Sequence, residues 1–220
     1  MGTRHIIFIF YKGEWVLAQV GQWDGYPEGQ GVRILRFLTT PGKIDKLIAA
    51  LDNNMLRQIN EDEFNHLATT CKVTEPWIIE RSEWEQDERP IFPASLDRET
   101  SSKLFDLIIE TTEPLLVFHE PKSLFARFCC EWAYVVDLDA RRFEVYSETD
   151  RPAEGYNPHI EELAKKECGR APPMIACYSL DELPSETQFL QDTSDECRDD
   201  EDGTEESIDG LNGTDGKGIV

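Results

Sequence analysis

The stretch RHIIFIFY-KG-EWVLAQVG, residues 4–21, constrains the fold more than any other part of the chain. Two apolar runs flank Lys12-Gly13, and glycine takes the positive φ that a tight hairpin turn requires. The first run is apolar at nearly every position, so its strand is expected to be central and covered on both faces. In the second, Trp15, Leu17 and Gln19 alternate with Val16, Ala18 and Val20. The chain therefore begins with a β-hairpin at the heart of a sheet.

The later elements follow from periodicity. Val32, Leu35 and Leu38, with Ile34, suit one helical face until Pro41-Gly42 break it. Ile44, Leu47, Ile48 and Leu51 repeat at the i, i+3, i+4, i+7 spacing of an amphipathic helix. NEDEFNHLATT carries Asn60 as a helix cap with Glu63 three residues on. Residues 73–93 are irregular, with Trp77, Trp84, Pro90 and Pro93, and read as an excursion packed down by its tryptophans. ASLDRETSSKLFDLIIETTE reads as one helix with Leu104, Leu107 and Ile108 inward, and PLLVFHE as a buried strand. CEWAYVVDLDARRFEVYSE is a second hairpin turning at Asp139-Ala140-Arg141. NPHIEELAKKECG is a short helix closed by Gly169, and PPMIACYSL a last strand. Hairpins mixed with helices, without alternating β-α units, give an α+β class: a mostly antiparallel sheet built from two hairpins and single strands, covered by helices. The expected organisation is one domain over residues 1–185 and a disordered acidic tail over 186–220.

Charge limits the partners. Of 44 acidic and 22 basic residues, the tail holds twelve and two, leaving 32 and 20 in the body. With a net charge of −22 both parts are acidic, which disfavours nucleic acid and anionic membranes. IIFIFY is too short for a signal-peptide core, and no apolar run approaches the ~20 residues of a membrane helix. The six cysteines, Cys71, Cys129, Cys130, Cys168, Cys177 and Cys197, form no C-x-x-C pair, so free thiols in a reducing, cytoplasmic setting are expected. His5, His66, His119 and His159 lack metal-ligand spacing, and no metal or other cofactor is expected. Asp137 and Asp139 fit turn chemistry better than a calcium loop.

The chemically richest segment is GQWDGYPEGQG, residues 21–31. Trp23 and Tyr26 offer flat faces for stacking, Asp24 and Glu28 offer carboxylates, and the glycines allow close backbone approach. The same residues also suit a corner closing the first hairpin, with Trp23 largely buried and Asp24 anchoring backbone donors. The segment has neither a P-loop nor a dinucleotide-binding glycine pattern.

Three blocks carry a resemblance. AQVGQWDGYPEGQGVRIL resembles the QWDGYP-x-G-x-G box of a large group of filamentous-fungal proteins with more distant bacterial and phage relatives. SLDRETSSKLFDLI is similar to that group's LSRDTGAKIL block, with Ser101-Ser102 in place of Gly-Ala and Glu99 in place of Asp. CEWAYVVDLDARRFEVY resembles its CEWAYVIDLD…FEVY hairpin, here preceded by an apparent insertion in SLFARFCCEW. The resemblance spans residues 4–183 and implies no established activity.

These readings lead to an intracellular binding module for a small polar ligand or a protein segment, with Trp23, Asp24, Tyr26, Glu28 and Arg98 as its surface. The alternative is a hydrolase or transferase using Cys130, near His119, or a carboxylate such as Asp24 or Glu131. An N-terminal nucleophile would require processing to expose Thr3.

Overall fold

In the computed structural model, the described residues are 2–71, 73, 91–125, 130–147, 157–167 and 169–194. Trp77, Trp84, Pro90, Cys129, Cys168 and Cys197 lie outside them. Strand β1 (His5–Tyr11) turns through Lys12 (φ 51°) and Gly13 (φ 79°) into β2 (Glu14–Gly21). A second hairpin joins β5 (Trp132–Asp137) to β6 (Arg142–Ser147), and β7 (Met174–Ser179) completes a five-stranded sheet ordered β2-β1-β5-β6-β7. Every pairing is antiparallel except β1 with β5, which run parallel from His5 opposite Trp132 to Phe10 opposite Asp137. The class is α+β.

Both faces of the sheet are covered, which accounts for the unbroken apolar run of β1. On one face Ile7, Ile9, Leu17, Tyr134, Val136 and Phe143 pack against α1 (Val32–Thr39), α2 (Lys43–Asp52), α4 (Leu104–Glu110) and α7 (Glu186–Thr193). On the other, Ile6, Phe8, Ala18, Val20 and Val135 pack with Leu124 of α5 (Lys122–Phe125) and with Ile160 and Leu163 of α6 (Pro158–Lys166). The two hairpins are also tied at their tips: the Asp139 carboxylate accepts from the backbone N–H groups of Lys12 and Gly13 at 2.9 and 2.8 Å. Asp137 accepts from the Ala140 N–H, so both aspartates serve the turns.

Helix α3 (Glu61–Thr70) starts at the expected capping box, with Asn60 and Glu63 each accepting from the other's backbone N–H. Asn157 caps α6, and the Gly169 N–H bonds to the Ala164 carbonyl beyond its end.

Four expectations need correction. Residues 56–59, LRQI, form an unanticipated strand β3 that pairs in parallel with β4 (Leu115–Phe118) in a separate two-stranded sheet. Accordingly β4 is only partly buried, with Val117 its one fully buried residue. The long helix from Ala94 is interrupted. It comprises two 3-10 turns, Ala94–Leu96 and Ser101–Lys103, followed by α4. Asp97 accepts the Glu99 N–H, and Ser101 adopts φ 47°, a left-handed conformation that a continuous helix excludes. Finally, the ordered body does not stop at residue 185.

Residues Glu186–Thr193 form α7, capped by Ser185. The Phe189 side chain is fully buried, stacks on Phe143 and packs at a tilt against Tyr178, while Glu186 takes two 2.7 Å hydrogen bonds from Arg36. One aromatic ring in the core outweighs the polar composition around it. Phe189→Ala is therefore expected to cost about 3–5 kcal/mol in denaturant melts. Deleting residues 186–220 should lower the melting temperature by more than about 5 °C. An unchanged melting temperature would show that α7 is not docked.

Candidate functional site

The segment 21–31 sits at the end of the sheet where β1 and β5 begin. Gly21 ends β2 opposite His5, and Trp132 lies opposite His5 on the other side. The chain leaves β2, passes Asp24 in a left-handed conformation (φ 54°), and enters a π-helical turn at Pro27–Gly31 that leads directly into α1. Asp and Asn tolerate this backbone region better than most residues.

The segment is held from beneath. The Gly25 N–H donates to the Thr3 carbonyl at 3.0 Å, and the buried Tyr134 hydroxyl donates to the Gly25 carbonyl at 2.7 Å. The Gln30 N–H bonds to the Asp24 carbonyl, and its side-chain amide donates to the Trp23 carbonyl. Ser102 donates from its hydroxyl to Gln30 Oε1 at 2.6 Å. A side chain at Gly21 would collide with the His5 ring and lie 2.7 Å from Ser101 Oγ, so glycine is required there by close approach.

The layer below is polar. His5 and Gln19 are buried, and among the described residues neither ring nitrogen of His5 nor either amide atom of Gln19 has a hydrogen-bond partner. Burial lowers the His5 pKa to about 3, which keeps the ring neutral. Tyr134 is raised well above the usual phenol range, first by burial and then by the Glu28 carboxylate.

The nominated residues separate into three groups. Tyr26 and Glu28 line a groove of about 700 Å³ whose other wall is α7, through Thr187, Leu190 and Gln191, with Trp132 also lining it. Trp23 and Asp24 are exposed on the same segment but do not line the groove. Trp23 is 48% exposed, and its ring lies against Gly2, contrary to the expected burial. Backbone hydrogen bonds and the Gln30 and Tyr134 side chains hold the segment, so the indole is not needed to close the corner. The Asp24 carboxylate does not anchor backbone donors. It lies 3.4 Å from the Tyr26 hydroxyl and 4.0 Å from the Arg33 guanidinium, and its backbone carbonyl does the anchoring.

Arg98 forms the third group. It is 7% exposed, bonds to Glu120 at 2.6 Å, and accepts the Gln22 N–H on its carbonyl. It braces the segment from inside and offers no surface to a ligand. Sequence alone gave no sign of this, because the partner carboxylate is 22 residues away.

Apart from Asp24, the residues of the enzymatic alternative lie outside the segment. Cys130 packs against the cluster under α6, on the face of the sheet opposite the glycine-rich segment. Glu131 is exposed, with its N–H bonded to Arg4 and its carbonyl to Ser147. His119 Nε2 meets the Val16 carbonyl at 2.9 Å along the outer edge of β2. Cys71 and Cys177 are free thiols, and the described residues contain no cluster of three or more metal-ligating side chains. The groove lining was missed from sequence on two counts. Trp132 read only as an alternating strand residue, and α7 had been assigned to the tail.

The neutral, buried His5 makes stability pH-dependent. Its pKa is depressed from 6.5 to about 3 in the fold, so below pH 6.5 the unfolded chain binds a proton that the native state does not. This contribution is fully present above pH 6.5 and is lost at about 1.4 kcal/mol per pH unit as pH falls towards 3. His119 is displaced in the same direction, chiefly by burial, so the comparison must be with a His5 variant. Between pH 7.5 and 5, the stability gap between the parent and His5→Gln should change by about 2 kcal/mol in favour of the variant. A pH-independent gap in urea melts would show that His5 titrates normally. The chain matches no protein-family model, no curated protein and no solved structure.

Proposed function

We propose that this chain is a binding module and that its ligand occupies the groove between the glycine-rich segment and α7. The observation that carries this reading is the exposure of Trp23 and Tyr26, at 48% and 41%, on a backbone braced from within. Aromatics held rigidly at a surface lose little conformational entropy on binding and dominate contact energy where they occur. The groove beside them has the volume of a small-ligand site and combines apolar walls with a few polar groups. A small polar ligand or a short protein segment fits it.

The enzymatic reading has weaker support. Cys130 lies across the sheet, and the nearest side-chain groups of Asp24 are a phenol and a guanidinium, which suit a binding surface. Free thiols at Cys71 and Cys177 fit a reducing compartment, and the net charge of −22 argues against nucleic acid as partner. Cytoplasmic location and the absence of a cofactor belong to this same proposal.

A thermal-stabilisation screen with polar metabolites and short peptides tests it. A ligand at 100 times its dissociation constant stabilises by about 2.7 kcal/mol. The shift should disappear in Tyr26→Ala and survive in Cys130→Ala. A ligand whose shift is lost in Cys130→Ala and kept in Tyr26→Ala would favour the enzymatic site instead.

A further inference from the structure

We infer that the groove takes a basic protein segment, docking a lysine or arginine side chain against the Tyr26 and Trp132 rings and the Glu28 carboxylate. This rests on the binding reading above and specifies its ligand.

Three independent features point to a cation. Among the described residues whose side chains line the groove, Glu28 is the only one that carries a charge, and that charge is negative. Two aromatic rings, Tyr26 and Trp132, line the same space, and aromatic faces attract ammonium and guanidinium groups through the ring quadrupole. Thr193 and Ser194, at the C-terminal end of the eight-residue α7, complete the wall, and a helix C-terminus presents partial negative charge. Asp24 adds a further carboxylate beside the Tyr26 hydroxyl, and two arginines of α1 already face acids: Arg33 faces Asp24, and Arg36 is bonded to Glu186.

The same features favour a protein segment over a metal ion. Hard cations require several converging oxygens, whereas among the described residues this groove pairs a single lining carboxylate with Tyr26, Pro27, Trp132 and Leu190. The methylene stem of a lysine or arginine would cover those apolar groups while its head met Glu28. A volume of about 700 Å³ exceeds what one ammonium head fills and leaves room for flanking residues. The net charge of −22 would speed the encounter with a basic partner.

The test is a titration of the full chain, followed by tryptophan fluorescence at physiological salt. The probes are three short peptides of equal length, alternating glycine with arginine, glutamine or glutamate. The arginine peptide should bind saturably with one site, and the other two should not. Affinity should fall at least tenfold in Glu28→Gln and in Tyr26→Ala, and stay within twofold in Asp62→Asn, which removes an exposed charge on α3. Equal losses in Glu28→Gln and Asp62→Asn would reduce the effect to diffuse charge attraction and overturn the inference. So would full displacement of the arginine peptide by spermidine at equal total charge, which would mark a free-polyamine site. Binding of the glutamine peptide that depends on Tyr26 and not on Glu28 would overturn the cation while leaving the groove reading intact. If neither Tyr26→Ala nor Glu28→Gln alters the binding of any probe, the groove reading itself falls. Circular dichroism confirms that each variant is folded.

Discussion

The parallel pairing of β1 with β5 is the constraint on which the rest of the molecule depends. It sets His5 beside Trp132, 127 residues later in the chain, and joins two antiparallel hairpins into one sheet. Because the pairing is parallel, both strands begin at the same end. The glycine-rich segment leaves β2 at that end, and Trp132 therefore lines the same groove as Tyr26 and Glu28. At the opposite end the same pairing brings the two turns together, where Asp139 takes both amides of the first. A one-residue slip of β1 against β5 would turn Ile7 and Ile9 from the α1 face of the sheet to the α6 face and break both arrangements at once.

That pairing also explains why so much polar material is buried under the glycine-rich segment. His5, Gln19 and the Arg98–Glu120 pair lie where the sheet end meets the turns at Ala94–Lys103. Burying such groups is unfavourable unless they are paired, and losing one member of a buried ion pair costs about 3–5 kcal/mol. What Arg98 provides is rigidity: its carbonyl fixes Gln22, and Ser101, strained at φ 47°, bonds back to the same carbonyl at 3.0 Å. The exposed rings of Trp23 and Tyr26 are thus carried by a backbone with several hydrogen bonds holding its position. A site that depends on presenting flat faces benefits from support of this kind.

The local features of this fold were legible in the sequence. The Lys12-Gly13 turn, the Asn60–Glu63 box and the break at Pro41-Gly42 are decided by neighbouring residues, and all are present. What escaped was set at long range. Residues 56–59 are half-exposed and carry Arg57 and Gln58, so only their partner β4 makes them a strand. In α7, a single buried ring within ETQFLQDT decides the outcome, and averaging over composition hides it. The site divided in the same way. Tyr26 and Glu28 could be nominated from their own segment, but the opposite wall and the second aromatic, Trp132, come from elements more than 100 residues away. The exposure of Trp23 escapes a sequence reading because the corner is closed by backbone hydrogen bonds together with Gln30 and the distant Tyr134, not by the indole.

The two walls of the groove are not independent. Any side chain at Gly31 would press on the Phe189 ring and on Tyr134, at 2.9 and 3.1 Å from its Cβ. The bare backbone at Gly31 therefore lets Phe189 seat between the glycine-rich segment and the sheet. Tyr134, whose hydroxyl holds Gly25, belongs to the same core cluster as Phe189. The glycine-rich segment thus supplies one wall of the groove, through Tyr26 and Glu28, and the seat of the other, through Gly31. A ligand that contacts both walls draws on a single packed unit, and displacing α7 would open the groove and uncover Phe143 together. Occupancy of the groove and docking of α7 are consequently linked: whatever binds between the walls stabilises the closure of the fold at its C-terminal helix.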